Sequence, residues 1–222
     1  MSIILNIETA VAAASICLAR NEEILIYNIN PEPKDSAAWL HVAIQKMMQE
    51  AKLPLSSLNA IAVSAGPGSY TGLRVGMATA KGLCYALNIP LITIDTLELM
   101  ASSILGIRAD FFCPMIDARR MEVFMTIFDQ SLNKLIPSSN KILEAHSFDE
   151  WLEKGTICFS GNGSIKFQPL IAHPNAIFSS QETHAQHMVP ISSSKFSRSE
   201  FASLAYAEPF YGKEFHSTIK ES

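Results

Sequence analysis

A chain of 222 residues with 48% hydrophobic content can bury one large core or two small ones, which excludes a disordered or fibrous protein. Its 17 basic and 21 acidic side chains leave a formal charge of -4, which excludes a global pull toward nucleic acid or an anionic membrane, so any RNA contact has to be local or made through a partner. No basic region precedes the first apolar run and no stretch reaches the ~18 apolar residues of a membrane span, so the expected setting is the cytoplasm, with no membrane partner.

Ile3 to Ile7, Ala13 to Ala19 and Ile24 to Ile29 read as three short strands of an antiparallel meander, with turns at Glu8-Thr9 and Asn21-Glu22. Pro31 and Pro33 break the chain, Asp35 or Ser36 offers a cap, and Ala37 to Ala51 carries a helical period that Pro54 stops. A strand at Ala60 to Val63, a helix at Thr71 to Leu87, a strand at Leu91 to Ile94 and a helix from about Thr96 to Leu105 complete a βββαβαβα order. That order suits a mixed sheet whose last two strands return through right-handed crossovers.

The second half restarts the pattern. Phe111 to Ile116 and Met121 to Phe128 read as strands, Ser147 to Leu152 as a short helix, and Thr156 to Ser160 as a strand ending in Gly161-Asn162-Gly163-Ser164. A tandem repeat of one α/β unit is the simplest account, with domains at 1–105 and 106–222, a shorter second copy, and a C-terminal segment free to pack back on the first. Ser192 to Ser194 reads as a loop before a C-terminal helix from about Ser199 to Ala207, ended by Pro209.

Between strand and helix lies Ala65-Gly66-Pro67-Gly68-Ser69-Tyr70-Thr71-Gly72, the densest glycine turn in the chain. Gly66 and Gly68 can take positive φ, and Ser69 or Thr71 can cap the following helix. The turn could cradle an anion, yet no register supplies the lysine and hydroxyl of a P-loop, so it reads as a structural turn. Cys17, Cys84, Cys113 and Cys158 are widely spaced among apolar neighbours and read as reduced core residues. His184 and His187 lack the companion ligands of a metal site and read as a polar helix face, so no metal is expected.

In the first helix Leu40, Ala43, Ile44, Met47 and Ala51 form the core stripe, while Trp39 and Val42 fall outside it. That flank suits either a partner or a neighbouring helix. In the second helix Gly72, Gly76 and Ala80 recur every four residues, and each glycine costs about 1 kcal/mol against alanine. The stripe admits a close neighbour, from a partner or from within the chain. Asp117, Arg119, Arg120 and Glu122 cluster at a strand end, where they are either solvated and mutually paired or offer a guanidinium fork to a carboxylate or phosphate.

Four segments together resemble the bacterial TsaB (YeaZ) family, older glycoprotease-like or M22 peptidase-like by name. They are Ile3 to Ala10, the glycine run with Ala80-Lys81-Gly82-Leu83, Ile116 to Val123, and Ala207 to Tyr211. The resemblance implies two tandem actin-like, ribonuclease-H-like α/β domains (the ASKHA class) with mixed five-stranded sheets, the second reduced. It implies a non-catalytic subunit that binds and activates TsaD, with TsaE, for threonylcarbamoylation of the tRNA adenosine 3′ of the anticodon, touching tRNA only through the complex. It also implies a partner interface on the first two long helices, at Trp39, Val42, Gly72, Arg74, Gly76 and Met77, and a homodimer through the same patch when TsaD is absent.

Glu8 stands where the family usually has aspartate, and Asp35-Ser36 where it often has a histidine step. A degenerate nucleotide cleft would comprise Glu8, Thr9, Gly66, Gly68, Ser69, Gly161 and Gly163, with ATP or ADP bound only in an assembled complex. The rival is an actin-like ATPase or kinase using those residues; a peptidase is disfavoured because the paired metal-binding histidines of TsaD have no counterpart.

Overall fold

The computed structural model describes residues 2–11, 13–32 and 36–212. Strands β1 (Ile3–Glu8), β2 (Ser15–Arg20), β3 (Glu23–Ile29), β4 (Ala60–Ser64) and β5 (Leu91–Ile94) form a mixed sheet in the order β3-β2-β1-β4-β5. The first three are antiparallel neighbours, and β1, β4 and β5 run parallel. Helix α1 (Ser36–Glu50) and helix α2 (Tyr70–Leu87) supply the crossovers, followed by α3 (Thr96–Ser103). The Ser69 hydroxyl caps α2 by accepting from the Gly72 amide at 3.3 Å, and Asn88 ends it at φ 53°. The cap foreseen at Asp35 lies outside the described residues.

Strand alternation decides what covers each face. Leu5, Ile7, Ile16, Leu18, Ile61 and Val63 point to α1 and α2. Ile4, Cys17, Ala19, Ala60 and Ala62 point the other way and pack on Ala185, Met188, Val189 and Ile191. The small side chains on that second face let the 185–191 segment approach closely.

The second sheet has strands β6 (Phe111–Asp117), β7 (Glu122–Met125), β8 (Ser139–Ile142), β9 (Ile157–Ser160) and β10 (Ala176–Ser179), in the order β10-β9-β6-β7-β8. Its two antiparallel and two parallel pairings repeat those of the first sheet strand for strand. This is the tandem actin-like arrangement. The reduction of the second copy lies in its helices: α4 (Asp149–Leu152) and α5 (Ser164–Phe167) have four residues each, where α1 and α2 have 15 and 18. Phe148, Phe159 and Phe167 compensate, packing edge to face with ring centroids 5.0 to 5.1 Å apart.

The cores interlock across the two copies. Helix α3 follows β5 yet packs Leu97, Met100 and Ile104 on Phe112, Ile116 and Phe128 of the second sheet. Helix α6 (Val189–Ser197) follows β10 yet seals the first sheet. Two sequence expectations are corrected here. Ser192 to Ser194 lie inside α6, whose Pro190 sits in the first turn where its missing amide costs nothing. Residues 199–207 form no helix, because Ser199 turns at φ 56° and Ala202 then pairs with Leu91 at the edge of β5.

The four cysteines are buried and free, and burial pushes their thiols up, Cys17 to about 12 and Cys84 and Cys158 to about 11. His184 caps the short 3-10 helix Ala185–Met188 and His187 lies within it: the rings stack at 6.3 Å, and the His184 amide donates to His187 Nδ1 at 3.0 Å. Among the described residues no helix is long and apolar enough to cross a membrane, and no group of three or more His, Cys, Asp or Glu side chains could hold a metal ion.

Candidate functional site

Glu8 ends β1 fully buried. Its Oε1 accepts from the amides of Ala10 at 2.5 Å and Val11 at 2.9 Å, so the carboxylate closes its own turn. Oε2 is buried without a hydrogen-bond partner among the described residues. Burial raises the Glu8 pKa above the ordinary 4.5, against the opposing pull of the Val11 amide, the Ser64 hydroxyl and the Ala10 amide.

The glycines of the β4–α2 turn are each filled from within the chain. A Cβ on Gly68 would lie 2.4 Å from the Ala10 carbonyl oxygen, one on Gly72 1.9 Å from the Thr9 carbonyl oxygen, and one on Gly76 2.3 Å from Thr9 Oγ1. The Thr9 hydroxyl donates to the Gly72 carbonyl at 2.7 Å, locking the β1 turn onto α2. Gly66, at φ 109°, faces the Phe210 carbonyl, and the Phe210 amide donates to the Ala65 carbonyl at 2.7 Å. The stripe therefore serves close approach inside the molecule, with Gly72, Gly76 and Met77 turned inward. Those three offer no side chain to a partner in this conformation, a correction to their reading as a surface.

Trp39 is half-buried on the first core, whereas Val42 remains 49% exposed. Arg74 is exposed, stacks over Tyr70 at 4.1 Å and donates to the Tyr211 hydroxyl at 3.0 Å. Lys81 donates to the carbonyls of Ala205 and Ala207. The C-terminal strap from Ala202 to Gly212 thus runs along one flank of α2. Sequence reasoning missed the groove on the other flank, about 470 Å³ between α1 and α2, lined by Ala37, His41, Val75, Ala78, Gly82 and Leu83. Its floor is open enough that a Cβ on Gly82 would touch nothing within 4 Å. The signal available in the sequence was the pair of small residues at 78 and 82.

Gly161, at φ 84°, meets the Met115 carbonyl and the Met100 methyl, and Gly163 meets Val123 and the Ile116 carbonyl carbon. These glycines resemble the first turn in using their bareness for backbone packing. Beside them opens a cleft of about 590 Å³ bordered by Val11, Met100, Gly161, Asn162, Ser164 and Thr183. Val11 brings the Glu8 turn to this cleft, while Gly66, Gly68 and Ser69 do not line it.

Asp117 and Glu122 flank the β6–β7 hairpin. The Asp117 carboxylate accepts from Lys166 Nζ and from the Arg119 amide, and Lys166 holds its pKa below the usual carboxylate range. Arg119 and Arg120 are exposed on the hairpin tip. The expected pairing within this cluster is therefore made by Lys166, a residue the sequence did not single out.

A protein-family model described as "TsaD: tRNA N6-adenosine threonylcarbamoyltransferase" matches residues 29–213. The chain is 30% identical to the tRNA threonylcarbamoyladenosine biosynthesis protein TsaB of Bacillus subtilis over 68% of its own length and 64% of that relative, so it spans just under two thirds of the relative. It is 26% identical to TsaB of Escherichia coli over 94% and 93% of the two chains. The solved YeaZ of Pseudomonas aeruginosa superposes with a TM-score of 0.81 at 24% identity, covering 95% of this chain and all of that one, which shows a shared fold. The chain belongs to the family that the TsaD model describes and, within it, to the TsaB (YeaZ) group.

Proposed function

We propose that this chain acts in tRNA threonylcarbamoyladenosine biosynthesis as a subunit without chemistry of its own, binding and activating TsaD, with TsaE, and meeting tRNA only through the assembly. The observation that carries the non-catalytic reading is the use of the glycine turn inside the chain. Ala10, Thr9 and Phe210 fill the positions where a phosphate loop would leave backbone amides open, and Glu8 Oε1 is bonded to its own turn. The partner reading draws on the α1–α2 groove and its exposed flank, Val42 at 49% and Tyr85 at 82%. An apolar strip of small residues between two parallel ridges admits a helix of another protein. A second copy of the chain could occupy the same groove in the absence of TsaD.

The 590 Å³ cleft favours a second reading, an ATP-binding enzyme of the actin-like class or a site that holds nucleotide only in the assembly. The test is reconstitution of threonylcarbamoyladenosine formation with cognate TsaD, TsaE and the adenylate-forming enzyme, with this chain present or omitted. Product only in its presence supports the accessory role; equal product without it overturns that role. Calorimetry with ATP and magnesium separates the second reading: an ATP-binding enzyme requires heat from the isolated chain at millimolar ligand, and an assembly-only site requires it only when TsaD is present.

A further inference from the structure

The β6–β7 hairpin is unusual in two respects. Arg119 and Arg120 both occupy left-handed backbone conformations, at φ 72° and 49°, where residues with a Cβ are disfavoured. Their guanidinium groups make no hydrogen bond or ion pair with the described residues, although Asp117 feels the charge of Arg119. The hairpin is nonetheless rigidly held. Lys166 Nζ donates to Asp117 and to the carbonyls of Arg120 and Glu122, and the Asp117 amide donates to Asn162 Oδ1 at 2.9 Å. Lys166 thereby neutralises the adjacent carboxylate, leaving two guanidiniums on a fixed support.

Their surroundings join two carboxylates, Asp117 and Glu122, to apolar surface. Met121 is 40% exposed and its carbonyl accepts from the Leu143 amide at 2.7 Å, while the 67%-exposed Ile142 stands on the neighbouring strand opposite Glu122. Two arginines next to an exposed methionine, with an exposed isoleucine on the adjoining strand, have the composition of a protein-interface anchor, where Arg and Met are enriched. RNA recognition would instead call for stacking aromatics or a longer basic track, and the chain carries a net charge of -4. We propose that this hairpin, through Arg119, Arg120, Met121 and Ile142, is a second docking surface, for a partner protein that presents carboxylates beside an apolar side chain. It rests on the reading of the chain as a subunit of an assembly, and it lies on the second sheet, away from the α1–α2 groove.

The test titrates TsaD, TsaE and tRNA separately into the natural chain, the R119E/R120E variant and the R119K/R120K variant, at low and high salt. The proposal expects R119E/R120E to bind one of the two proteins at least tenfold more weakly, the lysine pair to recover only part because it lacks the planar fork, and added salt to narrow the difference. Affinity for both proteins within threefold of the natural chain overturns it, as does a loss confined to tRNA. If R119E/R120E fails to fold, the lysine pair, which keeps the charge, still decides: affinity equal to that of the natural chain overturns the forked recognition. Binding by the natural chain to neither protein removes both this proposal and the one on which it rests. Loss of TsaD by Val42→Asp, with R119E/R120E unchanged, removes this one alone.

Discussion

The two halves share one sheet order and differ in what covers it. The first carries helices of 15 and 18 residues across one face; the second puts four-residue helices in the same places and fills the space with Phe148, Phe159 and Phe167. The comparison teaches that the strand pattern alone preserves this topology, while helix length decides how much outward surface each copy offers. A long helix presents a face to solvent over many turns, and a single turn presents almost none. The first half therefore presents the broad helical face to which the proposed partner site is assigned, and the second presents loops and hairpin tips.

The largest expected effect tests the aromatic substitute for helices. Phe159→Ala removes the ring shared by two neighbours in the cluster and should cost about 3 to 5 kcal/mol in denaturant unfolding. A loss below about 1 kcal/mol would show that the short helices carry the second core after all. Gly72→Ala addresses the first half, where the added methyl would collide with the Thr9 carbonyl and cost about 3 kcal/mol. Its counterpart Gly82→Ala lies on the same helix over open groove and should stabilise by about 1 kcal/mol. Equal effects at the two glycines would break the distinction between internal and outward faces of α2.

A smaller effect concerns Glu8. Its folded-state pKa is raised by burial, so the fold binds that proton more tightly than the unfolded chain does. The stability contributed is full below the ordinary 4.5 and is lost as pH rises through the raised value. Glu8→Gln keeps an acceptor for the Ala10 and Val11 amides and removes the buried charge. Denaturant melts from pH 4 to 7 should show the variant gaining on the natural chain as pH rises; parallel curves would contradict the assignment.

Much of the first sheet was legible because its strands are short apolar runs and Pro and Asn mark their ends. Strand β5 matches its expected span, and α1, α2 and β4 match to within one residue. In the second half β8 and β10 were not foreseen: Ser139–Ile142 is an exposed edge with little apolar content, and Ala176–Ser179 is only partly buried. The serine run hid α6 because serine competes with its own backbone in the absence of tertiary cover, which here comes from the first sheet. At the site, the spacing of Gly72 and Gly76 announced a close neighbour but not which one. Thr9 lies 63 residues away from Gly72, and no local pattern encodes that meeting.

The central claim is that the α1–α2 face of the first half is the partner surface, and the most direct test is calorimetric binding of TsaD to the natural chain and to Val42→Asp. Val42 is half exposed and outside the core stripe, so the variant should fold with stability within about 0.5 kcal/mol of the natural chain. The account predicts loss of TsaD binding with unchanged melting. Undiminished binding by a folded variant would contradict it and move the partner surface away from this face.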